Sequence, residues 1–185
     1  MNWEELSAVS TFLTLIVIGA TAIAAVLQLR HMRAGNALTG FIGMMDRWAG
    51  QEGRATQAYI FNGELDRQLC DPEYLKEMER QGFGDRTKHP ELAYLDFWES
   101  LGMFVKLRYF PEDVVFESGG PVAIMTWQKL RPVIAAIRKT RGQTAYDSFE
   151  YLVARAMRWE RRHPGGYYPS NADRLSLEPD ETNAR

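Results

Sequence analysis

Three arginines lie on one face of the last predicted helix, at Arg155, Arg158 and Arg162. Residues three and four apart share a side of a helix, so the guanidinium groups would form a basic face. Such a face could bind phosphates of nucleic acid or of lipid head groups. The alternative is a solvated surface paired with local acids such as Glu150 and Glu160. Further basic residues that could join this face are Arg131, Arg138, Lys139 and Arg141.

Arg158 and His163 are separated by four residues. This spacing resembles the catalytic signature of HEPN ribonucleases, all-helical proteins whose Arg and His act on a phosphodiester. The signature usually has Asn, Asp or His directly after the Arg, where this chain has Trp159. A structural interpretation is also available, because an imidazole at a helix C-terminus meets the negative end of the helix dipole. We therefore name no catalytic residue and expect a protein that is not an enzyme.

The sequence contains no pattern typical of a metal, cofactor or nucleophile site. A Gly-rich phosphate loop, a nucleophile elbow and an HExxH motif do not occur. Cys70 is the single cysteine, and His31, His89 and His163 lack ligand spacing, so we expect no disulfide, metal or cofactor. The formal net charge of -2 gives no overall attraction to nucleic acid or anionic lipid. Any such binding would need a local patch.

The stretch from Leu6 to Leu29 carries no charged residue over 24 positions. As a helix it would be about 36 Å long, enough to cross a hydrocarbon core of about 30 Å with some tilt. A buried helix of a soluble protein would rarely run so far without a charge. We therefore predict a membrane-spanning helix, which makes the lipid bilayer a partner of this protein.

The charges that flank this stretch predict whether it is cleaved and how it is oriented in the membrane. Glu4 and Glu5 precede it, whereas a cleaved secretory signal begins with positive charge. Arg30, His31 and Arg33 follow it directly, so the positive-inside tendency places the C-terminal side in the cytoplasm. We predict an uncleaved single span within residues 1–33 of a bacterial inner-membrane protein, with a short N-terminus outside.

Small and hydroxyl-bearing residues recur in steps of three and four along this predicted span. Such residues collect where membrane helices pack closely or line a wet cavity, so they indicate a homo-oligomer or, alternatively, a pore. Hydroxyls can also bond to carbonyls of their own helix, which needs no partner. We call this face the polar stripe; it comprises Ser7, Thr11, Thr14, Ile18, Thr21, Ala25 and Gln28.

The remaining sequence predicts an all-α domain of about six helices, bundle-like and cytoplasmic, over residues 34–163. The helix of the span should continue and bend near residues 50–53, which include two glycines, and a short helix should follow near residue 60. Asp71 and Pro72 predict a helix start, since aspartate caps and proline suits the first helical position. That helix should end near Gly82.

The most hydrophobic helix of the predicted domain begins at Pro90. Its apolar residues follow the i, i+3, i+4, i+7 spacing of a wide buried face. Phe97 and Trp98 could line a ligand pocket together with Trp127, but large aromatic residues at this spacing are more typical of a core. The face comprises Tyr94, Phe97, Trp98, Leu101, Phe104 and Val105.

Proline and glycine set the predicted ends of the later helices. A short helix should lie between Pro111 and residues 119–121, and a longer one, kinked at Pro132, over 122–140. The last helix should cover about 144–163. Residues 164–185 lack apolar periodicity and predict a flexible tail. The buried face of the last helix should comprise Tyr146, Phe149, Leu152, Val153, Ala156 and Met157.

The segment DFWESLGMFVKLRYFPEDVV (96–115), with TWQKLRPVIAAIRKTRG and SFEYL further on, resembles an uncharacterised bacterial family. Its members are short proteins with one N-terminal span and an all-helical cytoplasmic domain. The overall plan is also similar to that of the membrane-pore accessory proteins of type VI-B CRISPR systems, ring-forming relatives of HEPN folds. The matching positions are Phe97, Glu99, Leu101, Gly102, Val105, Trp127, Leu130, Pro132, Ile134, Arg138, Phe149 and Leu152.

Three functions remain open on the sequence alone. The first is a non-enzymatic single-pass membrane protein that self-associates and uses its helical domain to sense or recruit. The second is an oligomeric pore or effector in antiphage defence. The third is a membrane-tethered ribonuclease built on Arg158 and His163. Nucleic acid is therefore a partner only under some of these hypotheses.

Overall fold

The computed structural model describes residues 2–81, 84–166, 168 and 171–174, and the regular structure in these ranges is helical, without strands. The predicted all-α class is confirmed. Most of the predicted flexible tail, residues 164–185, lies outside the described ranges. The helices are α1 (Trp3–Ala49), α2 (Gln51–Phe61), α3 (Glu64–Leu69), α4 (Pro72–Gln81), α5 (Glu91–Lys106), α6 (Glu112–Arg141) and α7 (Asp147–Arg162).

The first helix, α1, extends without a break over 47 residues. Its section Ser7–Met32, which we call the apolar segment, has a mean hydropathy of 2.3 in its most apolar window, and none of that window is buried in the protein. The segment is long and apolar enough to cross a membrane, as predicted.

α1 ends at the expected place, because Gly50 adopts an extended conformation and α2 follows at once. A Cβ on Gly53 would lie 2.3 Å from the Trp48 carbonyl oxygen, so this turn requires glycine.

The last turns of α1 pack on the remaining helices. The Phe41 ring meets Phe110 at 5.1 Å, and the Trp48 ring meets Tyr94 and Phe97 at 4.7 and 4.4 Å. We call the unit formed by these turns and α2–α7 the helical domain. One helix thus has an apolar end that the protein leaves uncovered and an aromatic end that joins the core.

The centre of the helical domain is the contact of α5 with α7. Trp98 of α5 stacks on Phe149 of α7, with ring centroids 5.7 Å apart, and Phe97 is buried on the side of α5 that faces Trp48 of α1. Their burial confirms their assignment to the core, while Trp127 is only half-buried. A Cβ on Gly102 of α5 would lie 2.1 Å from the Ser148 carbonyl oxygen, so only glycine allows the backbones to approach this closely.

The start of α7 is fixed by a side chain from α5. The Glu99 carboxylate accepts hydrogen bonds from the backbone N–H groups of Ser148 and Phe149, at 3.3 and 2.8 Å. It therefore caps the first turn of α7, where no local side chain does so. Helix α7 begins at Asp147 and not near residue 144, because the preceding Tyr146 has a left-handed backbone conformation with φ of 59°.

Two predictions about the C-terminal helices are wrong. The expected break at residues 119–121 does not occur, and α6 continues through Pro121. The reason is tertiary packing: Gly120 lies buried between Phe116 and Ala156, so burial against α7 outweighs the helix-breaking tendency of the sequence. Met157 was expected in the core but is 38% exposed, and Trp159 occupies the buried position instead.

Candidate functional sites

The polar stripe is fully exposed along the apolar segment. Its threonine hydroxyls donate hydrogen bonds to carbonyls of their own helix: Thr11 to Ser7, Thr14 to Ser10 and Thr21 to Val17, at 2.9, 2.8 and 2.7 Å. These bonds satisfy the donors without a partner helix. What the stripe offers to a neighbour is a shallow surface that permits close approach, with oxygen lone pairs that can still accept.

The basic face of α7 is unevenly available to a ligand. Half-buried Arg155 forms a two-pronged ion pair with Glu112 of α6, with Nε 3.1 Å from Oε1, and hydrogen bonding to this carboxylate raises the pKa of Arg155. Arg158 and Arg162 are exposed. Arg138 of α6 pairs with Glu150, which lies five residues before Arg155 on α7. Arg138 and Arg155 are therefore both engaged by carboxylates, and Arg158 and Arg162 are the exposed members of the basic face.

Arg158 and His163 have different surroundings. Arg158 is exposed on α7, whereas His163 follows the last turn of α7, is half-buried and lies with its ring 4.4 Å from that of Trp159. Its Nδ1 atom is 3.0 Å from the Trp159 carbonyl oxygen. Trp159, which departs from the ribonuclease signature, is a core residue whose Nε1 donates to Asp113. The contacts of His163 with Trp159 fit its interpretation as a helix-terminal residue; catalysis by this pair stays a prediction.

Sequence reasoning missed a cluster of titratable side chains inside the helical domain. Tyr59 of α2 and Tyr74 of α4 share a hydrogen bond of 2.9 Å, and Tyr74 donates to Glu91 at 2.7 Å. His89 Nδ1 lies 3.2 Å from the same Glu91 oxygen, and its Nε2 lies 3.7 Å from Glu77. We call these five residues the buried polar cluster. It joins α2, α4 and the start of α5.

Burial dominates the electrostatics of this cluster. His89 is 1% exposed and Glu91 is 0% exposed. Desolvation raises the pKa of Glu91, although hydrogen bonds from Tyr74 and the proximity of His89 act against this shift. Desolvation likewise raises the pKa of Tyr74, which therefore stays a neutral donor. The Glu91 Oε2 and His89 Nε2 atoms have no hydrogen-bond partner among the described residues.

The cluster joins three helices through side-chain hydrogen bonds, and its buried carboxyl group and imidazole are suited to holding a proton. The sequence carries only a weak signal for this cluster, because residues 84–89 are polar and predict a loop. The one local sign is His89-Pro90-Glu91, which places two titratable side chains at the start of a helix. Within the ranges that the structure describes, no group of three or more His, Cys, Asp or Glu residues could hold a metal ion.

Comparison with known proteins identifies a family. No curated protein and no solved structure matches the chain. The model of DUF4760, a domain of unknown function, matches residues 15–159, from within the apolar segment to Trp159 in α7. An uncharacterised family was expected, and the resemblance to CRISPR accessory proteins stays a prediction. Because this match covers most of the chain, the chain belongs to the DUF4760 family.

Proposed function

We propose that this protein is a non-enzymatic, single-pass inner-membrane protein that self-associates through the polar stripe and uses the helical domain in the cytoplasm to sense or recruit. The observation that carries the proposal is the continuity of α1. The same helix presents an uncovered apolar segment and ends in Phe41 and Trp48, which pack on the domain core. Large exposed apolar side chains along a whole helix are stable in lipid and costly in water.

The length of α1 supports a mechanical link between membrane and domain. At 1.5 Å per residue its 47 residues extend about 70 Å, more than twice the hydrocarbon thickness. An unbroken helix transmits rotation and displacement, whereas a flexible linker would absorb them. A change in how α1 helices pair within the bilayer would therefore reposition the helical domains. The family match also runs from the apolar segment into the domain as one unit.

The spacing of the polar stripe supports self-association. Its members alternate in steps of four and three, an average of 3.5 residues, which is the repeat of helices that pair with a left-handed crossing of about 20°. Because the threonine hydroxyls already donate within α1, close packing of small side chains would supply most of the attraction.

The test is the mass of the full-length protein in detergent, measured by light scattering and corrected for bound detergent. Replacing Thr11, Thr14 and Thr21 together by Leu should weaken association by about 1 kcal/mol, roughly fivefold, because the larger side chains keep the helices apart.

The matched control replaces Val9, Ile16 and Ile23 by Leu, on the opposite side of α1, and should leave the mass unchanged. A monomeric parent protein, or an equal mass for the parent and the Thr11, Thr14 and Thr21 variant, would contradict self-association through the stripe.

A further inference from the structure

An exposed apolar surface lies beside α1, around the turn that joins α5 to α6. Leu107, Tyr109 and Val114 are 58%, 60% and 52% exposed, and Leu38 of α1 is 57% exposed. These residues border an open groove of about 1580 Å³. Between Leu107 and Tyr109, Arg108 adopts a left-handed backbone conformation with φ of 61°. The described residues thus leave several large apolar side chains exposed at one edge of the helical domain.

This groove lies close to the membrane end of the helical domain. The buried Phe110 ring fixes the turn against Phe41 of α1, and the groove extends along α1 as far as Asn36. Asn36 follows Met32, the last residue of the apolar segment, by four positions, or about 6 Å along the helix. The head-group layer on each side of a bilayer is about 5 to 7 Å thick. The near edge of the groove is therefore at the depth of the lipid head groups.

The charges around the turn suit an anionic surface. Arg108 is exposed and forms no ion pair with any described residue, and nearby Lys106 is held 3.3 Å from Asp147. The acidic groups that follow the turn are engaged with α7, since Glu112 pairs with Arg155 and Asp113 accepts from Trp159. An exposed cation therefore stands between two exposed apolar side chains.

We propose that the turn formed by residues 106–109 rests in the head-group layer of the bilayer that α1 crosses. Arg108 binds an anionic lipid head group, while Leu107 and Tyr109 lie beside it in the same layer. Tyrosine favours this depth because its ring is apolar and its hydroxyl is polar, and a basic residue is attracted to an anionic lipid surface. The inference rests on the proposed membrane anchoring of α1. With two contacts, the helical domain has a fixed orientation about the α1 axis.

The test places spin labels on full-length protein in nanodiscs made from a mixture of phosphatidylcholine and phosphatidylglycerol. Cys70 is first replaced by Ser, and single cysteines are then introduced as Tyr109→Cys, Met125→Cys and Ala22→Cys. Met125 is the matched control, an exposed apolar residue that lies on α6 about 16 Å beyond Val114. Accessibility to oxygen, which concentrates in lipid, is compared with accessibility to a water-soluble nickel complex.

We expect the labels at 109 and 22 to favour oxygen and the label at 125 to favour the nickel complex. In nanodiscs of phosphatidylcholine alone, or after Arg108→Ala, the label at 109 should shift toward water while the label at 22 stays unchanged.

A water-exposed label at 109 beside a lipid-exposed label at 22 would overturn this inference and leave the anchor intact. A label at 109 shielded from both probes would also overturn it, because another protein copy would then cover the turn. Equal oxygen accessibility at 109 in both lipid mixtures would overturn the role of Arg108. A water-exposed label at 22 would overturn the anchor and this inference together.

Discussion

Two faces of this protein use small residues, and only one of them meets a partner among the described residues. At Gly102 in α5, the backbone of α7 approaches so closely that a Cβ would lie 2.1 Å from the Ser148 carbonyl oxygen. At Gly19 in the apolar segment, nothing lies within 4 Å of the same added atom. Small residues allow helices to approach in both cases. The difference teaches that no described residue covers α1 at Gly19, so the proposal assigns this part of α1 a partner from outside the described part of the chain, lipid or another copy.

The strongest test of this comparison is a pair of glycine substitutions. Gly102→Ala should destabilise the helical domain by about 3 kcal/mol, because the backbone contact with α7 cannot give way without moving a helix. Gly19→Ala should leave its stability unchanged, since the added methyl group meets open space. Denaturant unfolding of the two full-length variants in the same detergent measures both effects. Equal stability of the two variants would contradict the close contact at Gly102.

A smaller effect is expected where α5 caps α7. Glu99→Gln should lower the free energy of unfolding by about 1 kcal/mol, because an uncharged amide accepts more weakly from the N–H groups of Ser148 and Phe149. Glu117, which is exposed on α6, is the control, and Glu117→Gln should change little. Hydrogen exchange at Phe149 gives a local readout; unchanged protection there in Glu99→Gln would rule out the cap.

The subtlest effect concerns the pH dependence of stability. Because burial raises the pKa of Glu91 in the folded protein, its contribution is complete below the unfolded pKa, ordinarily about 4.3, and is lost as pH rises through the folded value. Glu91→Gln should remove this decline, so its stability relative to the parent protein should improve with rising pH. The exposed Glu73 has a pKa lowered by hydrogen bonding to Lys76, so Glu73→Gln should produce the opposite trend.

Melting curves collected between pH 4 and pH 8 measure these trends. Parallel pH profiles for the parent protein and Glu91→Gln would show that the carboxyl group of Glu91 titrates as it does in the unfolded chain. They would contradict the description of the buried polar cluster.

Local signals in the sequence predicted much of the fold. The uncharged run in α1, the glycines at 50 and 53 and the Asp71-Pro72 pair act within a few residues, and the structure has the expected elements there. The prediction was wrong at Pro121, where packing of α6 on α7 decides the outcome. The cap by Glu99 joins residues that are 49 and 50 positions apart, and the hydrogen bond from Tyr74 to Glu91 joins residues that are 17 positions apart. Both were missed because of this separation along the chain. No periodicity in a sequence reports such pairs.

The most direct test of the membrane anchor uses Cys70, the one native cysteine, which is exposed. Intact spheroplasts that express the full-length protein are treated with a membrane-impermeant maleimide. Cys70 should react only after lysis, because the proposal places the helical domain in the cytoplasm, and a cysteine introduced by Asn2→Cys in a Cys70→Ser background should react in intact spheroplasts. Reaction of both cysteines on the same side of the membrane would contradict a spanning α1.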